Sequence, residues 1–165
     1  MSIVVNIIGE KSNVGKTIVM EGVIKELKKR GLSVATIKHD VHGFDIDKEG
    51  KDTYRHRKAG SETVIISSNK RMALIKEVKE EVPLNELLSF AKDKDVILVE
   101  GYKNSNLRKF EIYRKDFSKK LISSKENLIA IVSDEELFFE DIIVIKKNDF
   151  KKIVDLILKE EEYKI

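Results

Sequence analysis

The segment "GEKSNVGKT", residues 9–17, contains residue types that bind nucleotide phosphates. In Gly15-Lys16-Thr17 the glycine lets the backbone approach a phosphate, the lysine reaches the β- and γ-phosphates, and the threonine hydroxyl coordinates Mg²⁺. The standard phosphate-binding loop, G-x-x-x-x-G-K-[ST], would place its first glycine where this chain has Glu10, and the nearest glycine is Gly9. We therefore predict a phosphate-binding loop of unusual spacing. Its predicted nucleotide-binding residues are Gly9, Lys11, Ser12, Asn13, Val14, Gly15, Lys16, Thr17 and Ile18.

A second polar segment, "TIKHDVHGFDIDKEGKDTYRHRKAG" (36–60), holds all three histidines of the chain. It begins at the end of a predicted strand, and ligands of open parallel sheets lie beyond the carboxyl ends of the strands. Carboxylates such as Asp47 could hold Mg²⁺ there, and basic residues could contact phosphates. Zinc on His39 and His42 beside Asp40 is a weaker alternative, because a three-residue spacing on a loop is a poor metal signature. The charges of residues 51–60 are equally typical of a solvated helix face. The candidate residues for a phosphate-bearing ligand are Lys38, His39, Asp45, Lys51, Asp52 and Arg55.

The third segment is "DVILVEGYKNSN" (95–106). A hydrophobic strand that ends in an acidic residue is the form of the second element of P-loop proteins, whose carboxylate binds Mg²⁺ or orients water. Glu100 occupies that place, and Gly101 permits a tight turn after it. Glu100 is therefore the catalytic candidate and, with Thr17 and Asp47, a candidate metal ligand. The alternative is an edge glutamate followed by an ordinary turn.

Strands and helices alternate along the chain, which predicts βαβ units and a three-layer α/β fold with a mainly parallel central sheet flanked by helices. No linker divides the 165 residues, so we expect a single domain. The predicted strands are 2–8, 32–38, 95–101, 109–114, 127–134 and 141–147, with a hairpin of 63–68 and 72–78 around Asn69-Lys70. The predicted helices are 17–31, 51–60, 84–93 and 149–165.

The composition narrows the functional classes. Charged residues make up 37% of the chain and hydrophobic residues 41%. Basic and acidic residues are interspersed and leave a net charge of +3, which gives no argument for a nucleic-acid partner. The chain has no cysteine, which excludes disulfides, thiolate catalysis and cysteine-ligated metals and fits a reducing interior. The apolar start "MSIVVNIIG" is too short for a membrane span and lacks signal-peptide features. We expect a cytoplasmic protein without a membrane partner.

The three segments together resemble the family of molybdopterin-guanine dinucleotide biosynthesis protein B. The resemblance rests on "SNVGKT", "KHDVHGFDID", "GKDTYRHRKAGS" and "ILVEGYK", which occur in the family's order, and it spans residues 3 to 158. It implies a P-loop fold of the class of signal-recognition GTPases and partition ATPases, with GTP and Mg²⁺ as ligands. It further implies a homodimer that assists the guanylyltransferase attaching GMP to molybdopterin. The resemblance implies that Gly15, Lys16 and Thr17 bind phosphate and Mg²⁺, and that Glu100 is the carboxylate of the second P-loop element.

The resemblance also extends to the other parts of the site. It implies that the stretches Lys38–Asp47 and Gly50–Asp52 line the site, so the candidate phosphate ligands are also pterin candidates. Asp134, at the end of "AIVSD", is a candidate for the guanine edge, although the chain has no Asn-Lys-x-Asp tetrad.

Two other functions stay open at this point. Lys11 stands where partition-type ATPases carry a signature lysine that reaches the nucleotide of a dimer partner. Such an ATPase would usually end its second element in aspartate rather than Glu100, and it would not explain "GKDTYRHRKAG". The other alternative is a non-hydrolysing module that delivers nucleotide or pterin to another enzyme. No residue is placed like the water-orienting glutamine of efficient GTPases, which favours slow turnover.

Overall fold

The structure is a computed structural model that describes residues 1–165. The strands are β1 (Ser2–Gly9), β2 (Val34–Lys38), β3 (Thr63–Ser67), β4 (Met72–Lys76), β5 (Val96–Glu100), β6 (Lys109–Ile112), β7 (Leu128–Val132), β8 (Val144–Ile145) and β9 (Glu162–Tyr163). The helices are α1 (Lys16–Lys29), α2 (Asp52–Lys58), α3 (Leu84–Ser89) and α4 (Phe150–Ile157). None of these helices is both long enough and apolar enough to cross a membrane.

The chain forms two compact units. The larger unit comprises Met1–His39 and Asn85–Ile165, and the smaller unit is the intervening segment Asp40–Leu84. That the chain folds as a single domain stays a prediction.

The larger unit is built on a seven-stranded sheet with the order β2-β5-β1-β6-β7-β8. All neighbours in this order are parallel, and β9 pairs antiparallel with the start of β1. The predicted mainly parallel sheet with helices is therefore confirmed. The central strands β1, β5 and β7 are almost entirely buried, which explains why their sequences are nearly continuous apolar runs.

Helix α1 follows β1 and packs its apolar side on the sheet. Val19, Val23 and Leu27 are fully buried in the main core together with β1 and α4. The helix ends at Lys29, and Gly31 follows the cap residue with φ 83° and an amide that donates to Lys28 O at 3.0 Å. This left-handed residue satisfies the terminal carbonyls of α1.

The C-terminal segment differs from the prediction of one helix over 149–165. Helix α4 begins after Asp149, whose carboxylate caps the helix by accepting from the amide of Lys152 at 3.1 Å. The helix ends at Ile157, however, and Glu162–Tyr163 forms β9. Pairing with Ser2 and Ile3 of β1 overrides the helical propensity of the acidic run.

The two faces of the sheet have different character. One face carries the apolar core under α1 and α4. On the other face, Asn6 of β1 and Lys109 of β6 are paired in register, and Glu111 lies two residues further along β6. All three are buried polar residues, and their hydrogen bonds go to irregular segments of 102–123 rather than to a helix.

The smaller unit contains the antiparallel hairpin β3–β4 and helix α2. The register pairs Ile65 with Leu74 and Ser67 with Met72, around the predicted turn. Val64 is the buried core residue of this unit. Much of the hairpin's apolar surface is open: Ile65 is 61% exposed and Met72 68%.

Candidate phosphate-binding site

The phosphate loop connects the buried strand β1 to the start of α1, as predicted. Two of its residues have left-handed backbone conformations, Asn13 with φ 65° and Gly15 with φ 104°. The ammonium of Lys16 turns back over the loop and donates to Lys11 O at 2.9 Å. The first turn of α1 contains no acidic side chain, so its free N–H groups and positive end of the helix dipole suit an anion.

The structure gives the unusual glycine spacing a physical reason. A Cβ on Gly9 would lie 2.5 Å from Cγ2 of Val14 and 3.2 Å from Ile112 O. Val14 is buried, so the loop folds its one apolar side chain back onto the end of β1. Glu10, in the first-glycine position of the standard pattern, is not among the residues with positive φ. The glycine is therefore needed at residue 9 for space, and residue 10 has no need of a glycine's backbone freedom.

Glu10 has a different task from the glycine it replaces. Its carboxylate accepts hydrogen bonds from the backbone amides of Lys119 and Lys120. The first of these bonds is the main cause that lowers the pKa of Glu10. Glu10 thus fastens the segment after β6 to the phosphate loop.

Glu100 lies at the end of β5, between β1 and β2 in the sheet. The register pairs Glu100 with Ile7 of β1 and with Lys38 of β2, so these strand ends lie at one edge. Burial lowers the pKa of Lys16, the nearby Glu100 carboxylate acts to raise it, and Lys103 and Lys38 lower it further. Lys38 and Glu100 are therefore neighbours at this edge, and with Lys103 they are the charges that act on Lys16.

Thr17 and Glu100 fit a magnesium ion by their chemistry. Hydroxyl and carboxylate oxygens are the hard donors that Mg²⁺ prefers, and the ion usually keeps water and substrate phosphate as its other ligands. No group of three or more His, Cys, Asp or Glu side chains forms an all-protein metal site.

His39 follows β2 directly and contacts the loop after β5. Its amide donates to Glu100 O at 2.9 Å, and its ring stacks on that of Tyr102 with the centroids 4.3 Å apart. Gly101 makes room for this contact, because a Cβ there would lie 2.9 Å from Cβ of His39. His39 is therefore packed at the strand-end edge, and its role towards a phosphate or a pterin stays a prediction.

A cavity of about 450 Å³ opens beyond β7, lined by Ser133, Asp134, Glu135, Glu136, Leu137, Phe138, Val144 and Lys146. Asp134 accepts from the amide of Lys147 and pairs with its ammonium, both at 3.1 Å. Burial acts to raise the pKa of Asp134, but the hydrogen bonds from Lys147 outweigh it and hold the pKa below its usual value. The Lys147 side chain also lies against Gly15, with Cδ 3.3 Å from the site of a Cβ. This lysine connects the cavity to the phosphate loop.

The remaining candidates belong to the smaller unit. Asp45 accepts from Arg57 at 2.9 Å, and Asp47 accepts from the Thr53 hydroxyl at 2.8 Å. A second Asp47 oxygen lies 3.5 Å from Nε of Arg57. These two carboxylates thus have partners within their own unit, and their role towards a metal or phosphate stays a prediction. Lys51, Asp52 and Arg55 lie at the cap and within the short helix α2.

Sequence reasoning missed two lysines that the structure places at the site. Lys103 donates to Glu10 O at 2.7 Å, and Lys147 joins Asp134 to Gly15. Lys103 lies within the quoted "VEGYK" segment, which could have identified it. Lys147 has no local signal, because its partners are distant in sequence.

The parallel sheet, the loop between β1 and α1, and the acidic end of the neighbouring β5 define the P-loop NTPase fold. The family described as molybdopterin guanine dinucleotide synthesis protein B (MobB) matches residues 4–134. The chain belongs to this family.

Curated relatives and solved structures agree. The chain is 34% identical over 148 residues to the molybdopterin-guanine dinucleotide biosynthesis adapter protein of Haemophilus influenzae, covering 88% of this chain and 83% of the relative. It is also 34% identical over 155 residues to the adapter protein of Escherichia coli, covering 90% and 87%. The crystal structure of Bacillus subtilis MobB superposes with a TM-score of 0.74 at 24% identity, covering 94% of this chain and 95% of that one. This last similarity supports the fold.

Proposed function

We propose that the chain is an adapter protein of molybdopterin-guanine dinucleotide biosynthesis that binds Mg-GTP through its phosphate loop and hydrolyses it slowly. The observation that carries the proposal is the loop itself, which joins the buried strand β1 to the start of α1 through left-handed Asn13 and Gly15, beside the strand β5 that ends in Glu100. Two relatives of similar length are named adapter proteins of this biosynthesis, which supports the pathway.

The triphosphate would bind at the loop and the start of α1. Lys16 would exchange the carbonyl of Lys11 for phosphate oxygens, which carry more negative charge. Lys38 adds a second positive charge at the same strand-end edge. Thr17 and Glu100 are the residues that would hold Mg²⁺, which when bound neutralises phosphate charge and polarises the phosphoryl oxygen.

The base would occupy the cavity beyond β7. Asp134 lies on its wall, and its carboxylate can accept hydrogen bonds from N1–H and the 2-amino group of guanine, whereas adenine has an unprotonated N1 and no 2-amino group. Lys147 pairs with this carboxylate and lies against Gly15, so one lysine contacts both the proposed base site and the phosphate loop. This arrangement favours GTP over ATP.

The partner is proposed to be the guanylyltransferase that joins GMP to molybdopterin, in the cytoplasm. His39, Lys51 and Arg55 stay the candidates for contact with the pterin or its phosphate. We also propose a homodimer that forms through the hairpin β3–β4, whose strands each have one unpaired edge. Ile65 and Leu74 are opposite one another and exposed, so a second copy could cover the same surface on both partners.

A titration tests the nucleotide site. Calorimetry with Mg-GTP and Mg-ATP should show binding with a preference for GTP, and Lys16→Ala should abolish triphosphate binding while the melting temperature changes little. The matched control is Lys29→Ala, which removes a lysine from the other end of α1. If Lys16→Ala bound GTP as tightly as the parent, the phosphate-loop assignment would be wrong. Formation of the dinucleotide by the guanylyltransferase, with and without this chain, tests the adapter role.

A further inference from the structure

The loop after Glu100 has an unusual backbone. Gly101 and Tyr102 follow one another with positive φ, 91° and 45°. A bulky residue rarely adopts this conformation, and it persists only where surrounding contacts hold it. The loop therefore has a fixed shape, and the contacts that fix it can be identified.

Two buried polar side chains hold the loop from the sheet. Asn6 Nδ2 donates to Tyr102 O at 3.1 Å and to the Ser105 hydroxyl at 3.2 Å. Lys109 Nζ donates to Lys103 O at 3.2 Å, to Ser105 O, and to the Ser105 hydroxyl at 3.4 Å. An ammonium group is costly to bury, and burial lowers the pKa of Lys109. The fold keeps this lysine where an apolar residue would normally pack, and all its hydrogen bonds go to the loop.

The consequence of this fixed shape is the position of Lys103. Its ammonium donates to Glu10 O at 2.7 Å, in the phosphate loop. Lys16 donates to the next carbonyl, that of Lys11, at 2.9 Å. Two ammonium groups thus bind adjacent carbonyls of one phosphate loop, and the Glu100 carboxylate is the acidic group that acts on Lys16.

Such an arrangement favours a ligand with several negative charges. The mutual repulsion of two ammonium groups is relieved when oxygens of higher negative charge replace neutral carbonyls. Lys16 belongs to the phosphate loop itself. Lys103 comes from the loop after Glu100, the place where the second element of P-loop proteins meets the terminal phosphate.

We propose that Lys103 binds the terminal phosphate of the nucleotide and makes the site prefer a nucleoside triphosphate over a diphosphate, with Asn6 and Lys109 as its positioning residues. This inference rests on the proposed nucleotide-binding function. On triphosphate binding, Lys103 leaves Glu10 O for a phosphate oxygen, while the backbone of the loop stays anchored by Asn6 and Lys109.

The test compares GTP with GDP. In calorimetric titrations with Mg²⁺, Lys103→Met should weaken GTP binding by roughly ten- to hundredfold and GDP binding by about twofold or less. Lys29→Met, on the last turn of α1, should leave both affinities unchanged. If Lys103 only fastens the phosphate loop through Glu10, Lys103→Met will weaken GTP and GDP equally, and the inference is overturned. It is also overturned if neither affinity changes.

The positioning residues have the same readout. Lys109→Met keeps Lys103 but frees its loop, so the ratio of GTP to GDP affinity should fall in the same direction as in Lys103→Met. Should Lys109→Met fail to fold, Asn6→Ser is the second variant, because it removes the amide that holds Tyr102 O. A ratio unchanged in the folded variant contradicts the positioning role. If the parent chain binds neither nucleotide, the proposed function itself fails and this inference with it. If the parent binds GTP and the ratio of GTP to GDP affinity is the same in all variants, the proposed function stands and this inference is overturned.

Discussion

Val14 Cγ2 lies over Gly9 so closely that a Cβ on Gly9 would be 2.5 Å away. This contact joins the last residue of β1 to the buried residue of the phosphate loop. It explains why the chain has its glycine one position before that of the standard pattern. The loop is shaped by packing at Gly9 and by left-handed backbone at Asn13 and Gly15, and a third positive φ at residue 10 is not needed.

We predict that Gly9→Ala lowers the free energy of unfolding by about 1–3 kcal/mol and weakens GTP binding, because Val14 must move and the loop with it. Val14→Ala removes Cγ2, the atom that a Cβ at residue 9 would contact. In a double-mutant cycle, Gly9→Ala should therefore cost less in the Val14→Ala background than in the parent. Denaturant unfolding of the four proteins measures this coupling. Additive costs would show that the close approach does not constrain the loop.

The sequence predicts the parts of the site that depend on local order. β1, the loop and α1 are consecutive, and the acidic end of β5 follows a recognisable apolar strand, so Lys16, Thr17 and Glu100 could be identified from their surroundings. The anchors of the loop after Glu100 could not, because Asn6 and Tyr102 are 96 residues apart in the chain and meet only through the sheet.

The C-terminus shows the same limit. The residues after Ile157 have helical composition, and nothing in them marks the end of α4. Their strand conformation comes from the pairing of Tyr163 with Ser2, which only the assembled sheet provides. Tertiary pairing decided this segment over propensity.

Glu100→Gln should slow Mg²⁺-dependent GTP hydrolysis by roughly tenfold or more and weaken GTP binding much less, since the contacts of the phosphate loop remain. Single-turnover phosphate release and calorimetry provide the two measurements. Glu100→Asp is the matched control, because it keeps the charge on a shorter side chain. Equal losses of binding and hydrolysis with a lowered melting temperature would instead indicate a purely structural turn.

A charged side chain introduced on the exposed hairpin should dissociate the proposed dimer. Ile65→Lys places an ammonium on a surface that a second copy would cover, so the dissociation constant of the dimer should rise at least roughly tenfold. Light scattering over a dilution series measures the mass. Phe90→Lys is the control, because Phe90 is also a largely exposed apolar residue but belongs to the larger unit. A parent that is monomeric throughout the series contradicts the dimer, and an unaffected Ile65→Lys dimer contradicts the hairpin interface.

The stability of the larger unit should depend on pH through Asp95. Its carboxylate accepts from the hydroxyl and the amide of Ser33, both at 2.6 Å, and these bonds lower the pKa of Asp95 below its ordinary value of 3.8. A depressed pKa stabilises the fold above the ordinary value, and the stabilisation is lost as the pH falls through the folded-state pKa. Asp95→Asn should therefore be less stable than the parent at neutral pH, and the difference should shrink below pH 3.8. Denaturant unfolding across this range measures it; a constant difference would contradict the charge effect.

The segment 38–58 should become more protected when GTP and Mg²⁺ bind. Helix α2 buries no side chain, and Gly43 and Gly50 have open space around them, so little apolar burial holds this stretch. Asp45 and Asp47 would repel a triphosphate unless Mg²⁺ were present, whereas Lys51 and Arg55 would attract it. Hydrogen exchange measured with GTP alone, with Mg²⁺ alone and with both should show added protection mainly with both.

Charge reversal separates a direct contact from a general ordering of this segment. Lys51→Glu or Arg55→Glu should weaken binding of the phosphate-bearing ligand by roughly tenfold, since each replaces an attraction by a repulsion. His42→Ala, in the same segment, is the control and should change the affinity little. Unchanged exchange across 38–58, together with unaltered affinities in both charge-reversal variants, would remove the segment from the site. Protection that rises while the charge-reversal variants bind normally would instead show ordering without contact from these two side chains.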